Sequence, residues 1–276
     1  MSLWALFAWS ALLLVGPWTL MPARGPLPEI HGPIRSLWWL NVMYCAAWHR
    51  LESSGMAPLP ERGPAILVAN HTCGVDPMVL QATCGRLLGF LVAKEIFDIW
   101  LIRPFCRLLG CIPVRRDGHD LAATRAALRA LKEGRVVPIF PEGRIIPTSG
   151  RELGEPKTGV AFIVLHARVP VIPAYISGTP PTNNIWKAAL TPSKARVTYG
   201  PPIDFSDAPA GPPYAKATLA EVADRLMAAI RDLQARAWAE PEGARPRPPL
   251  ESLGDARRPE SRPGSVPGGR PAVRTS

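Results

Sequence analysis

His71 and Asp76 stand five residues apart, the histidine just past the apolar run AILVA at 65–69 and the aspartate just before Pro77. A turn between them can bring carboxylate to imidazole. The Asp then holds one ring nitrogen and fixes the tautomer, and the other nitrogen is left to take a proton. The same spacing also suits a purely structural hydrogen-bonded pair, so HxxxxD alone does not establish chemistry. A second cluster, Phe140-Pro141-Glu142-Gly143-Arg144, comes after another apolar run. Gly143 lets backbone approach a ligand without a side chain between. Glu142 and Arg144 offer opposite charges that read either as a ligand clamp or as a surface ion pair. The third, Gly110-Cys111-Ile112-Pro113-Val114-Arg115-Arg116, sets two guanidinium groups at the end of a run, with Lys157 further along. Arginine forks match phosphate oxygens. Together these cations could hold a phosphate on a small substrate; singly, each reads as a solvated charge.

The elements that must position these groups are legible as short apolar runs alternating with helical segments. Runs at 65–69, 89–93, 111–115, 136–140, 169–176 and 195–200 read as strands, and their unbroken apolar character fits strands covered on both faces. Residues 76–85 open with Asp-Pro, a helix start. Residues 120–134 are rich in Ala and Leu and stop at a glycine. Further helices are predicted over 157–167 and 213–238. The pattern is an α/β domain with a largely buried β-sheet flanked by helices.

Residues 2–23 carry no charged side chain before Arg24. Such a span reads as an uncleaved membrane anchor, a re-entrant or interfacial helix, or a buried soluble helix. It lacks the basic start of a signal peptide. Residues 36–51, SLWWLNVMYCAAWHRL, repeat apolar positions at three and four residues and carry three tryptophans. That suits a helix packed on a core or one lying in an interface. Arg24, Arg35 and Arg50 favour the cytoplasmic side for the α/β domain. The expectation is therefore membrane-associated helices ahead of the domain, and a membrane-associated protein with its catalytic domain on the cytoplasmic side. The last 36 residues hold eight Pro and seven Arg and too few large aliphatics to fold alone. The predicted organisation is 1–24 as an apolar anchor or re-entrant segment, 25–57 as a linker and amphipathic aromatic-rich helix, 58–240 as the α/β domain, and 241–276 as a disordered Pro/Arg-rich tail.

Composition narrows the field. With 276 residues, 47% apolar and 20% charged, the chain is neither wholly disordered nor fibrous. A net charge of +10 suggests an anionic partner: nucleic acid, anionic lipid or a phosphorylated small molecule. No zinc-finger spacing or nucleic-acid recognition motif is present, so no nucleic acid is expected. The five cysteines form no CxxC pair, and the histidines are scattered. Both observations argue against a disulfide scaffold or a metal site and fit isolated thiols in a reducing compartment.

Four ordered blocks carry a resemblance. Asn70-His71-Thr72-Cys73-Gly74-Val75-Asp76-Pro77, Gly110 to Arg116, Phe140-Pro141-Glu142-Gly143 and Val169-Pro170-Val171-Ile172-Pro173 match, in order, the four motifs of the glycerolipid acyltransferases. The chain resembles that family, which includes the 1-acylglycerol-3-phosphate acyltransferases, over roughly residues 35–205. The resemblance implies that 58–240 is an α/β acyltransferase domain. It implies a general base at His71 oriented by Asp76, and phosphate binding by Arg116 and Lys157 with Arg144. Glu142 and Gly143 complete the acceptor site. The donor is acyl-CoA or an acyl-carrier protein, with no metal or redox cofactor. The acceptor is lysophosphatidic acid or a related lysolipid, the product is phosphatidic acid, and membrane lipids are partners. One departure stands out. Family members often read Glu-Gly-Thr-Arg-Ser where this chain has Glu142-Gly143-Arg144-Ile145-Ile146, so the arginine is displaced by one. Another lysolipid or glycerol-3-phosphate therefore stays open as acceptor. A non-catalytic lipid-binding or scaffold protein is the reading from another class. A serine hydrolase is disfavoured by the absence of GxSxG.

Overall fold

A computed structural model describes residues 30, 32–115, 120–145, 152–209 and 211–239. In chain order the elements are α1 (Gly32–Ala47), β1 (Glu52–Ser53), β2 (Ala65–Ala69), α2 (Asp76–Ala82), β3 (Leu91–Ala93), α3 (Lys94–Phe97), α4 (Arg103–Leu108) and β4 (Ile112–Val114). Next come α5 (Leu121–Lys132), β5 (Val136–Ile139), α6 (Thr158–Ala167), β6 (Val171–Ser177), α7 (Ile185–Leu190), β7 (Arg196–Tyr199) and α8 (Lys216–Ala239).

Five strands make one sheet in the order β1-β7-β6-β2-β5. β2 lies between β5 and β6, parallel to both, with Val68 opposite Ile139 and Ala69 opposite Ala174. β7 runs antiparallel to β6, so the sheet is mixed. All five residues of β2 are buried. Alternation explains how: Ala65, Leu67 and Ala69 pack with α1 and α2, while Ile66 and Val68 pack with α5, α6 and α8. Each large aliphatic buried this way stabilises the fold by about 1.5–3 kcal/mol. The runs at 89–93 and 111–115 do not join this sheet as full strands. Their shorter cores, β3 and β4, pair with each other in a two-stranded parallel sheet, tied to the main one by a bridge from Leu88 to Val136.

Local signals set the helix ends. The Asp120 carboxylate caps α5 by accepting from Ala123 N–H at 2.9 Å, and Asn184 caps α7 by accepting from Lys187 N–H at 2.9 Å. Arg86 is 1% exposed and donates to the carbonyls of Pro60, Gly63 and Gly134, fastening the segment before β2 to the turn before β5.

Among the described residues no helix is long and apolar enough to cross a membrane. This corrects two expectations: membrane-associated helices preceding the domain, and a membrane-associated placement with the catalytic domain on the cytoplasmic side. The aromatic-rich helix is α1; one apolar face packs on the protein core, while Leu40 and Met43 stay exposed. Trp38, Val42 and Cys45 are buried, and Trp38 Nε1–H donates to Gln81 O at 3.1 Å and Cys84 O at 3.2 Å at the end of α2. Residues 1–24 and 241–276 lie outside the described residues.

Candidate active site

The three parallel strands β2, β5 and β6 end on the same side of the sheet, and the chemistry-bearing residues sit just past those ends. Loops at the carboxyl ends of parallel strands are where α/β sheets open a crevice. Asn70, just past β2, fixes the spacing: its Nδ2 donates to Ile176 O at 2.9 Å and its Oδ1 accepts from Ile176 N–H at 2.7 Å. A side-chain amide thus continues the β2–β6 ladder by one step.

His71 comes next, and Asp76 opens α2. His71 Nδ1 lies 2.8 Å from Asp76 Oδ2; the histidine side chain is 18% exposed and the aspartate fully buried. The carboxylate is surrounded by donors. Oδ2 accepts from Thr72 N–H at 2.5 Å and Cys73 N–H at 2.9 Å, and Oδ1 accepts from the Thr72 hydroxyl at 2.6 Å. Every other contact to it is a donor, so the histidine joins them as Nδ1–H, and Nε2 keeps its lone pair. The Thr72 hydroxyl also meets the Thr179 hydroxyl, which stands just beyond β6. The imidazole stacks on Phe140 with ring centroids 4.1 Å apart and planes 9° from parallel.

Glu142 is buried, and its oxygens face backbone. Oε1 accepts from His71 N–H at 3.1 Å and Oε2 from Gly154 N–H at 3.0 Å. Burial pushes its carboxyl above the usual value, against the pull of those two bonds. Gly143 has φ +66°, and a Cβ there would lie 2.9 Å from Lys157 Cε. The glycine therefore serves as a bed for the lysine stem. Gly154 is as tightly placed, since a Cβ would meet Glu142 Oε2 at 2.8 Å. Arg144 and Lys157 are exposed, while Arg116 lies outside the described residues. Cys73, beside the base, is buried and its thiol is pushed up to about 12, chiefly by burial. It is unsuited to act as a nucleophile.

The structure thus brings together His71 and Asp76 from past the end of β2, Glu142 and Gly143 from past the end of β5, and Lys157 from the start of α6. It adds Phe140 as a stacking partner, Asn70 as a stitch, and Thr72 and Thr179 as a hydroxyl relay to the aspartate. In the sequence, Asn70, Thr72 and Phe140 stand out only as motif letters. Thr179 escapes sequence reasoning, although its place just beyond a buried apolar run is a usable signal. Among the described residues no group of three or more His, Cys, Asp or Glu is placed to hold a metal ion. A cavity of about 280 Å³, lined in part by Arg168, Pro170, Ile203 and Phe205, opens at the other end of β6 and is separate from this site.

Residues 50–177, which hold His71, Asp76 and Glu142, match the family model described as Acyltransferase. The chain is similar to the glycerolipid acyltransferases. It is 29% identical over 130 residues to a probable 1-acyl-sn-glycerol-3-phosphate acyltransferase of Mycoplasma pneumoniae, covering 44% of this chain and 48% of that one. It is 26% identical over 182 residues to the 1-acyl-sn-glycerol-3-phosphate acyltransferase of Bacillus subtilis, covering 64% and 84%. The acyltransferase-like chain thus spans about half the length of the Mycoplasma relative. Its fold is similar to the crystal structure of the 1-acyl-sn-glycerophosphate (LPA) acyltransferase PlsC of Thermotoga maritima, with a TM-score of 0.57 at 21% identity over 85% of this chain and 95% of that one.

Proposed function

We propose that the chain is an O-acyltransferase that moves a fatty acyl group from an acyl thioester to the free hydroxyl of 1-acylglycerol-3-phosphate, giving phosphatidic acid. The observation that carries this reading is the His71–Asp76 pair: Nδ1 is committed to a buried carboxylate at 2.8 Å while the ring is still partly open to solvent. His71 Nε2 takes the acceptor hydroxyl proton as the oxygen attacks the thioester carbonyl. Asp76 holds the ring and stabilises the imidazolium that forms. The tetrahedral intermediate collapses, the C–S bond breaks, and the departing thiolate receives the proton from His71. The acceptor itself attacks, so no acyl-enzyme is needed. The donor in this reading is acyl-CoA or an acyl-carrier protein.

Arg116 and Lys157, with Arg144, hold the acceptor phosphate in this reading. Lys157 is supported by its position over Gly143, beside the strand end that carries Glu142. Glu142 acts one step back, pinning the His71 backbone to the segment at Gly154. The Arg144-Ile145 order favours one second reading, an acyltransferase acting on another lysolipid or on glycerol-3-phosphate.

The test is a panel of lysophosphatidic acid, other lysolipids and glycerol-3-phosphate in detergent, each with acyl-CoA and acyl-carrier-protein donors, read by product mass. Phosphatidic acid from lysophosphatidic acid is the expected product. His71→Ala should lower turnover by about 10²–10⁴-fold in a protein that melts like wild type. Near-wild-type turnover by H71A would remove the base from the mechanism.

A further inference from the structure

Two of the five cysteines are brought together by the way a helix ends. At the end of α4, Gly110 N–H donates to Arg107 O at 3.1 Å, and Cys111 N–H donates to Cys106 O at 2.8 Å. Gly110 has φ +65°. This is a Schellman motif, in which the residue after the left-handed glycine packs against the helical residue five positions earlier. Those two positions are Cys111 and Cys106, so the motif sets one side chain against the other. Arg135 locks the reversal: its Nη2 donates to Leu109 O at 3.1 Å and Gly110 O at 2.8 Å. Any Cβ at position 110 would collide with that guanidinium.

The surroundings distinguish this pair from the other thiols. Cys45, Cys73 and Cys84 are buried, with thiols pushed up to about 12 chiefly by burial. Cys106 is shifted the other way, because the Cys111 S–H donates to it and favours its thiolate. Cys111 is pushed up instead, chiefly because its S–H is committed to Cys106 and by burial, with the Arg135 guanidinium only opposing this, so the pair divides into one thiol that ionises more readily and one that keeps its proton. Cys106 is 6% exposed and Cys111 is half-buried, so the pair sits just beneath the surface rather than in the core.

We propose that Cys106 and Cys111 are a reversible oxidative modification site, closing an intrachain disulfide when a two-electron oxidant such as hydrogen peroxide reaches them. The Cys106 thiolate attacks a peroxide oxygen, the O–O bond breaks, and the released hydroxide takes up a proton to leave as water. Cys106 is then a sulfenic acid. The Cys111 sulfur attacks the Cys106 sulfur, the S–O bond breaks, and the hydroxyl leaves as a second water with the Cys111 proton. Two thiols are oxidised by two electrons, and one peroxide is reduced to two waters. Disulfides need Cα atoms closer than about 7 Å. The main-chain bond between the same two residues already holds them near each other.

The test uses the full-length reduced protein, treated with hydrogen peroxide, alkylated with iodoacetamide and digested with trypsin. Trypsin cuts after Arg107 and is blocked at Arg103 by Pro104, so Cys106 and Cys111 fall on separate peptides, 95–107 and 108–115. The expected product is these two peptides joined, two hydrogens lighter than the pair, and released by dithiothreitol. Cys106→Ser and Cys111→Ser should each abolish it. Recovery of both peptides separately, or cross-links made instead to Cys45, Cys73 or Cys84, would overturn the assignment. The wild-type measurement stands alone, so a folding defect in either serine variant does not weaken the test.

Discussion

His71 depends on what Asp76 does for it. Asp76 Oδ2 sits among three donors, the imidazole Nδ1 and the amides of Thr72 and Cys73, while Oδ1 meets a hydroxyl that can reorient. Asp76→Asn can therefore keep its carbonyl oxygen at the three-donor position and turn its NH2 toward Thr72. Such a protein should fold normally and yet lose the charge that stabilises imidazolium. Turnover should fall by about 10²–10⁴-fold with an unchanged melting temperature. A loss of activity that tracks a loss of stability would instead mark the pair as structural. The pair itself was readable from sequence because it is local, five residues across one turn. The Thr179 contact was not, because it depends on β6 lying beside β2.

At the scale of elements, the site is held by side chains that stand in for sheet hydrogen bonds. Asn70→Ala would leave Ile176 N–H and C=O without their partner in a site where Asn70 is 1% exposed. An unsatisfied buried group costs about 1–3 kcal/mol. Urea unfolding should show a loss within or above that range, together with weakened turnover as the β2 and β6 ends drift apart. Glu142 adds a pH dependence. Its carboxyl is raised in the folded protein, so the folded state binds that proton more tightly than the unfolded chain. The stabilisation this gives is complete below the ordinary carboxylate value and is lost as pH rises through the raised one. Wild type should therefore lose urea resistance over that window, and Glu142→Gln, which cannot ionise, should lack this component. Parallel pH profiles for the two proteins would count against it. The glutamine should also cost stability at all pH values, since it offers one acceptor where Glu142 offers two to His71 N–H and Gly154 N–H.

For the whole molecule, α1 is part of the fold, and its removal is an unfolding experiment. Trp38 is 3% exposed and donates to two carbonyls at the end of α2. Trp38→Ala should cost about 3–5 kcal/mol, measurable as a lower urea midpoint, and a near-neutral effect would return α1 to the role of a detachable helix. Although it did not determine β1, α3, α4 or α7, the sequence alone determined the buried cores of β2, β5, β6 and β7, the places of α2, α5, α6 and α8, and the order of the motif blocks. Each is written in neighbouring residues, as an apolar run, a capping aspartate, or a glycine where the chain must turn left-handed. Tertiary structure decided which of two apolar uses a pattern serves. The tryptophan stripe of α1 suits lipid and protein equally, and only the carbonyls of Gln81 and Cys84 show that Trp38 faces protein. It also decided that the runs at 89–93 and 111–115 form a small sheet of their own, since strand partners are chosen by position in space and not by hydrophobicity. Glu142 shows the same division. Its residue type predicted a charge at a strand end, but packing of β5 against β2 turned that charge inward onto the His71 amide, 71 residues away in the chain. Chemistry that needs two distant segments is fixed by the sheet that aligns them, and a sequence read along one dimension carries that alignment only implicitly.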